Sequence, residues 1–315
     1  MKQNAWVMGV GMTPFGKHMD RTLKSLSGEA IEAALVDAGI AASQLDAAYM
    51  ATAGTAVTVG QVMVPGQAAL RELGIGGIPV INVENACASA ATAFQQACTL
   101  VTHGVHDIVL AVGFEKLYCE DKARTFSVFT GAVDFESFDT VTDDIYQRIR
   151  AAGIDVDDDG AGATRSLFMD IYAAMAIEHM RDTGSTREDF AAVSAKNSVH
   201  GSLNPNAQYR NVMSVDEVLS AREISYPLTL GMCSPIGDGA AAAVIVSEKM
   251  ARQLGAGRAV RVRASVLKSG WDYADGAPGV TETTAKETYE FAELGPEDLD
   301  VVELHDASSP AELIY

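Results

Sequence analysis

Over the first 112 residues, short apolar runs alternate with longer stretches of helical period. Residues 4–11 read as a short strand ending in glycines, and residues 45–51 and 107–112 as two more. Residues 79–83 read as a buried strand. Apolar positions at three- and four-residue spacing predict helices over 26–38, 62–73 and 89–102. Gly39 stands where a left-handed C-terminal residue closes the first of these. Strands and helices alternating at such lengths predict a mainly parallel sheet covered on both faces.

The pattern changes after residue 117. Residues 118–165 are rich in Asp, Thr, Phe and Gly and show weak periodicity. Helical spacing resumes over 167–181 and 187–199, and a loop with Asn, Pro and Gly follows over 201–210. We read 118–237 as an insertion that caps the sheet and carries binding residues, as long irregular segments often do. The apolar run 241–247 then returns to the first sheet.

The end of the chain repeats its beginning. Residues 30–52, AIEAALVDAGIAASQLDAAYMAT, and residues 285–307, AKETYEFAELGPEDLDVVELHDA, both give helix, short turn, Leu-Asp and strand. The strand before each also corresponds, 6–10 against 260–266. Duplication would produce this and predicts a second sheet, although helix–strand units are common enough to look alike by chance. The second copy stops early, with half a sheet that would leave open edges and an uncovered apolar face. The expectation is a piece of a longer chain, or a chain whose remainder a partner supplies.

Composition narrows the function classes. Of the 315 residues, 48% are hydrophobic, enough for one large core or two ordinary domains. A formal net charge of −19 argues against a general nucleic-acid binder, because phosphate contacts need a basic surface. No basic segment followed by an apolar one opens the chain, and the longest apolar runs are far too short to span a bilayer. Membrane and nucleic-acid partners are therefore not expected. Cys87, Cys98, Cys119 and Cys233 show neither CxxC pairing nor regular spacing, so neither a disulfide framework nor a structural zinc site is expected, and a reducing cytoplasm is the natural setting.

One cysteine stands apart. The apolar run at 79–83 ends near Glu84, and a helix begins within a few residues of Cys87. A thiol at a helix N-terminus feels the positive end of the macrodipole, which favours thiolate. Free amides there can receive an oxyanion. Ala86, Ala88, Ser89 and Ala90 are small enough for a substrate to approach. The arrangement is that of a nucleophile elbow with sulfur in place of oxygen. From position alone, the alternative of a buried structural cysteine stays open.

The segment NVENACASA (82–90) resembles the nucleophile segment of thiolases. VGFEK (112–116), Lys196-Asn197 with GSLNPNAQYR (201–210), YPLTLGMCSPIGDGA (226–240), and HDAS (305–308) followed by Pro310-Ala-Glu resemble segments of the sterol-carrier-protein-x branch, in the same order. The resemblance implies an α/β thiolase fold: two similar five-stranded mixed sheets in αβαβα layers, a loop domain inserted in the first half, and here an incomplete second half. It implies an N-terminal half at 1–117 plus 238–255, a loop domain for CoA and substrate at 118–237, and the start of a C-terminal half at 256–315. It also implies chemistry. Cys87 attacks a thioester or 3-oxoacyl-CoA carbonyl and becomes acylated, with its own N–H in one oxyanion hole. His305 holds a water, or acts directly, at the other. A Gly-His-Pro turn and a second cysteine, which complete the family's site, have no counterpart in these residues. The sequence thus supports acyl transfer to Cys87 more readily than a full Claisen cycle. CoA thioester is the implied substrate, with no permanently bound cofactor and no metal. The implied partner is a second copy of the chain. Some relatives instead pair with a small OB-fold zinc-ribbon protein, and some carry out retro-aldol cleavage, tending then to lack the nucleophile. A non-catalytic scaffold is the remaining alternative.

Other signals carry less. Lys116, Lys196 and Arg210 are the candidate contacts for CoA phosphates, with Lys122, Arg124 and Arg165 nearby in the sequence. Asp306 is expected to hold the turn beside His305. His103 and His106 have metal-ligand spacing but no third ligand and are read as helix-end histidines. Residues 155–160 match half of a calcium loop, yet Ser166 stands where a Glu is needed. Gly9, Gly11 and Gly16 do not complete GxGxxG.

Overall fold

A computed structural model describes residues 2–151, 153, 166–271, 273–274 and 276–315. In chain order the elements are β1 (Lys2–Met12), α1 (Leu23–Ala38), β2 (Ala47–Ala51), α2 (Thr55–Thr58), α3 (Pro65–Glu72), β3 (Val80–Val83), α4 (Ser89–Thr102) and β4 (Ile108–Glu115). Then come α5 (Lys122–Thr130), α6 (Phe138–Ala151), α7 (Leu167–Thr183), α8 (Arg187–Leu203), α9 (Val215–Ser220), β5 (Glu223–Ser225) and β6 (Leu228–Thr229). The chain continues with β7 (Gly239–Ser247), α10 (Glu248–Leu254), β8 (Val260–Ala264), α11 (Val280–Ala292) and α12 (Ala311–Ile314). They fall into two compact units. The first is Met1–Lys116 with Asp238–Val302, and the second is Leu117–Gly237 with Glu303–Tyr315.

The first unit is built on a six-stranded sheet in the order β3-β2-β4-β7-β1-β8. β2 runs parallel to β3 and β4, while β4–β7, β7–β1 and β1–β8 are antiparallel. Side chains alternate across the sheet, as the strand period requires. Leu110 and Val112 pack on one face with Leu26, Ala30, Ile31 and Ala34 of α1. Val109 and Ala111 pack on the other with Ala97, Cys98 and Val101 of α4. The glycines of β1 are there for close approach. A Cβ on Gly9 or Gly11 would collide with the α1 backbone at Ala34–Ala38 or at Ala30. At the end of α1, Gly39 adopts φ +67° and caps the helix through the Leu35 and Val36 carbonyls.

Several expectations for this unit change. The sheet is mixed rather than mainly parallel, with three antiparallel pairings and two parallel. The strand at 79–83 is not buried: β3 is an outer strand, and its Ile81 remains 36% exposed. The helix expected from 62 begins at Pro65, which suits a first helical position because its missing N–H has no partner to lose. The strand at 260–264 does not open a second sheet. It pairs antiparallel with β1, Ala5 opposite Val262, as the other outer strand of the same sheet. Residues 300–304 pair with no strand among the described residues, and Val301 and Val302 stay exposed. Of residues 256–315, those up to Val302 fall in the first unit and those from Glu303 in the second.

The second unit is mainly helical. Phe190, Ala191, Ala173, Ala176, Val218, Leu228 and Met232 form its principal core. Among the described residues, its stretch of weak periodicity contains two helices. Asp121 caps α5 by accepting the Ala123 and Arg124 amides, and α6 buries only Tyr146 and Ile149, which is why its apolar spacing reads weakly. The loop expected from 201 starts three residues later, because α8 runs on to Leu203. The half calcium loop at 155–160 and Arg165 lie outside the described residues. Among the described residues, no helix is long and apolar enough to cross a membrane.

Candidate active site

In the first unit, β3 leads directly into the Cys87 turn. The Asn85 amide donates to Ser89 Oγ at 2.8 Å, and the Ser89 hydroxyl donates to the Ala86 carbonyl at 2.7 Å. That one buried side chain ties both sides of a turn in which Ala86 takes φ +45°. A left-handed conformation costs a residue with a Cβ roughly 1–3 kcal/mol unless its surroundings hold it. Glu84 Oε1 accepts the Ala86 amide at 2.6 Å, and the Thr92 hydroxyl donates to the Ala88 carbonyl at 2.8 Å. Cys87 sits in the short 3-10 turn Ala86–Ala88, immediately before α4. No side chain caps that helix start. The Ala88 and Ser89 amides donate to the Asn85 and Ala86 carbonyls, and no side chain caps the amides that follow, where the helix dipole favours an anion.

Cys87 is the exposed thiol of the four. Cys98 is buried in α4, and burial pushes its thiol up to about 12. Burial likewise raises Cys233 to about 11, against the pull of Arg222. The Cys119 Sγ donates to the Asp121 carbonyl at 3.0 Å. The sequence left open whether Cys87 is a buried structural residue; the structure places it in the open, at a helix start.

His305 lies in the second unit, and so do Lys196 and Arg210. The imidazole is exposed, on an irregular segment rather than at a strand end. Its turn is held from two sides. The Ser234 hydroxyl donates to the Asp306 carbonyl at 2.8 Å, and the Ser234 amide to the Ala307 carbonyl at 3.0 Å. On the other side, Asn197 Nδ2 donates to Asp306 Oδ2 at 3.3 Å and to Glu312 Oε2 at 3.2 Å. Burial raises the Asp306 carboxyl above its ordinary value, and nearby Glu312 adds to this while His305 and Lys196 oppose it.

The basic candidates separate. Lys116 is not a surface cation. It is buried, donates to Asp238 Oδ2 at 2.5 Å and to the His18 carbonyl at 2.6 Å, and so is committed inside the first unit. A buried lysine needs such a partner, because the unpaired charge is costly to desolvate. Lys196 is exposed but paired with Glu312 at 2.6 Å. Arg210 is exposed and donates to the Ser202 carbonyl at 3.2 Å, which leaves most of its guanidinium facing outward. Lys122 and Arg124 lie exposed in the first turn of α5. His103 closes α4, and among the described residues no three His, Cys, Asp or Glu side chains converge as a metal site.

Sequence reasoning missed two carboxylates. Asp238, fully buried, accepts the His18 amide as well as Lys116. Glu115 ends β4 and accepts the Thr52 hydroxyl at 2.9 Å and the amides of Ala53 and Gly54 at 2.9 and 3.0 Å. Burial raises the Glu115 carboxyl, while these donors and the Lys116 amide pull it back. The available signal was a charged residue closing an otherwise apolar strand, IVLAVGFE.

Comparison with known proteins gives a consistent set. The family described as "Thiolase, N-terminal domain" matches residues 5–219. The benzoylsuccinyl-CoA thiolase subunit BbsB of Thauera aromatica is 34% identical over the whole chain, which spans 75% of that relative. Sterol carrier protein 2 of Gallus gallus is 33% identical over the whole chain, which spans 56% of its length. A solved structure described as the Ltp2-ChsH2(DUF35) aldolase superposes with a TM-score of 0.73 at 24% identity, over 99% of this chain and 75% of that one.

Proposed function

This chain belongs to the thiolase family of acyltransferases, and from that premise we propose that Cys87 accepts an acyl group from a CoA thioester. The observation that carries the reading is the exposed Cys87 thiol at the uncapped start of α4. The thiolate attacks the thioester carbonyl carbon and forms a tetrahedral intermediate. Its oxyanion is received by the amides of the turn, among them that of Cys87. Collapse of the intermediate breaks the bond to the CoA sulfur, which leaves as thiolate, and an acyl-Cys87 thioester remains. In the thiolytic sense, the Cys87 thiolate attacks the 3-oxo carbon of a 3-oxoacyl-CoA, and the bond between the 2- and 3-carbons breaks. Acetyl-CoA leaves as its enolate and takes a proton from solvent, and free CoA then takes the acyl group from Cys87, the step that closes a round of β-oxidation. His305 is assigned the second oxyanion, the enolate oxygen, through an exposed imidazole able to donate directly or through a water. Of the candidates Lys116, Lys196 and Arg210, we assign the CoA phosphates to Arg210, because Lys116 and Lys196 are engaged by Asp238 and Glu312.

A cytoplasmic homodimer completes this reading. Among the described residues no strand pairs with the outward side of β3, and a symmetric partner would extend the sheet there. A heteromeric complex is the second reading. It is favoured by the relative described as a subunit and by the superposed aldolase, which is described with a DUF35 component. Its partner would be a small OB-fold zinc-ribbon protein. Incubating the chain with a 3-oxoacyl-CoA and free CoA, alone and with such a partner, tests both. Thiolysis by the chain alone supports the first, and thiolysis only with the partner supports the second. If neither mixture consumes the substrate, the acyl-transfer reading loses its support.

A further inference from the structure

The Cys87 turn has a support that its own residues do not reveal. β3, β2 and β4 run parallel, and Ala51 lies opposite both Val83 and Gly113, so the three strands end along one edge of the sheet. The Cys87 turn follows β3, and the segment Thr52–Gly54 follows β2. Glu115 is two residues past Gly113 on β4. Strand periodicity therefore puts the Glu115 side chain on the same face as Gly113. That face belongs to α4, since a Cβ on Gly113 would stand 2.5 Å from the Ala90 side chain in the helix's first turn.

The hydrogen bonds form a chain of connections. Glu115 gathers three donors from three successive residues, the Thr52 hydroxyl and the Ala53 and Gly54 amides. The Thr52 amide donates in turn to the Val83 carbonyl at 3.2 Å. Val83 is the last residue of β3, four before Cys87. A carboxylate can accept all three donors at once, but an amide in its place must turn one N–H toward another N–H.

We infer that Glu115 is a positioning residue for acyl transfer. It fixes Thr52–Gly54, which fixes the end of β3, which sets the Cys87 turn against α4. It touches neither the acyl group nor CoA. The inference rests on acyl transfer to Cys87 being the reaction.

The test uses the full chain with Glu115→Gln and, as a milder variant that removes one donor, Thr52→Val. Burst acylation of Cys87 by acetyl-CoA is measured beside alkylation of the same thiol by iodoacetamide, which needs no oxyanion alignment. Hydrogen exchange over residues 84–88 is followed by mass spectrometry. Acylation is expected to fall about 10–100-fold in Glu115→Gln and about 3–10-fold in Thr52→Val, since displacements near 1 Å cost about a hundredfold. Alkylation stays within about threefold, and exchange over 84–88 accelerates while that over β7 does not. Acylation within about threefold of the parent in both variants overturns the inference. So does a parallel loss of acylation and alkylation that tracks the folded fraction, which would make Glu115 merely structural. Should Glu115→Gln fail to fold, Thr52→Val alone decides. A parent chain that is never acylated defeats the proposed reaction instead, and unchanged exchange over 84–88 then overturns the placement of Glu115.

Discussion

The turn at Cys87 and the turn at His305 are built by different means. The first is seated by a sheet: a parallel strand leads into it, a long helix leads out of it, and Ser89 ties its two sides together. The second hangs on an irregular segment, with the Ser234 backbone and hydroxyl on one side and Asn197 on the other. Where a sheet and a helix already fix the backbone, a strained residue such as Ala86 can be held just ahead of the reactive atom. Where a few polar contacts do the holding, one side-chain deletion should loosen the turn. Elements nucleated by ladders resist local change, and segments outside them do not.

The sharpest contrast to test is between thiols. Cys98, raised to about 12, and Cys233, raised to about 11, carry pKa values above their ordinary one, so both stay protonated as pH rises through the neutral range. At pH 8 a thiol at about 11 is about a thousandth thiolate, which leaves little nucleophile. Peptide mapping after iodoacetamide at pH 8 should find the exposed Cys87 modified far faster than either, with Cys98 the slowest of the three. Comparable rates at Cys98 would show that α4 opens readily and break the contrast.

Gly113→Ala probes the well-seated turn directly. The added methyl meets Ala90, and the first turn of α4 must shift or the strand must bend. Overpacking of this kind costs about 1–3 kcal/mol of stability, which urea denaturation will read. Acylation of Cys87 should fall about 10–100-fold. Wild-type acylation in this variant would mean that the turn is not set by β4.

Asn197→Ala carries the smallest expected effect. It removes the donor shared by Asp306 and Glu312 and should cost about 0.5–1.5 kcal/mol in urea denaturation. Hydrogen exchange over 303–309 should rise, while exchange over 84–88 should not. Equal rises in both would erase the distinction between the two turns.

Much of the first turn was legible because its cues are local. The helix at 89–102 is written in its apolar spacing, and a cysteine just before a helix start has a stated electrostatic consequence. What was not legible depended on distant residues. Lys116 looked like a surface cation because its partner, Asp238, lies 122 residues further along. The residues of β3 are apolar enough for a central strand, but an outer place in the sheet is not written in them. Val301 and Val302 have strand-forming side chains and yet form no strand, because a strand also needs a neighbour that pairs with it. Glu115 could have been marked by its charge at the end of an apolar run, although its three donors follow a different strand.

The central claim is that the Cys87 sulfur becomes the acyl carrier. Intact-mass and peptide-mapping spectra after a brief exposure of the full chain to acetyl-CoA test it directly. One acetyl group on the peptide containing Cys87, absent from Cys87→Ser and removed by added CoA, is the predicted result. A folded chain that releases CoA from the thioester while Cys87 stays unmodified, or that carries the acetyl group on Cys98, Cys119 or Cys233 instead, would contradict it.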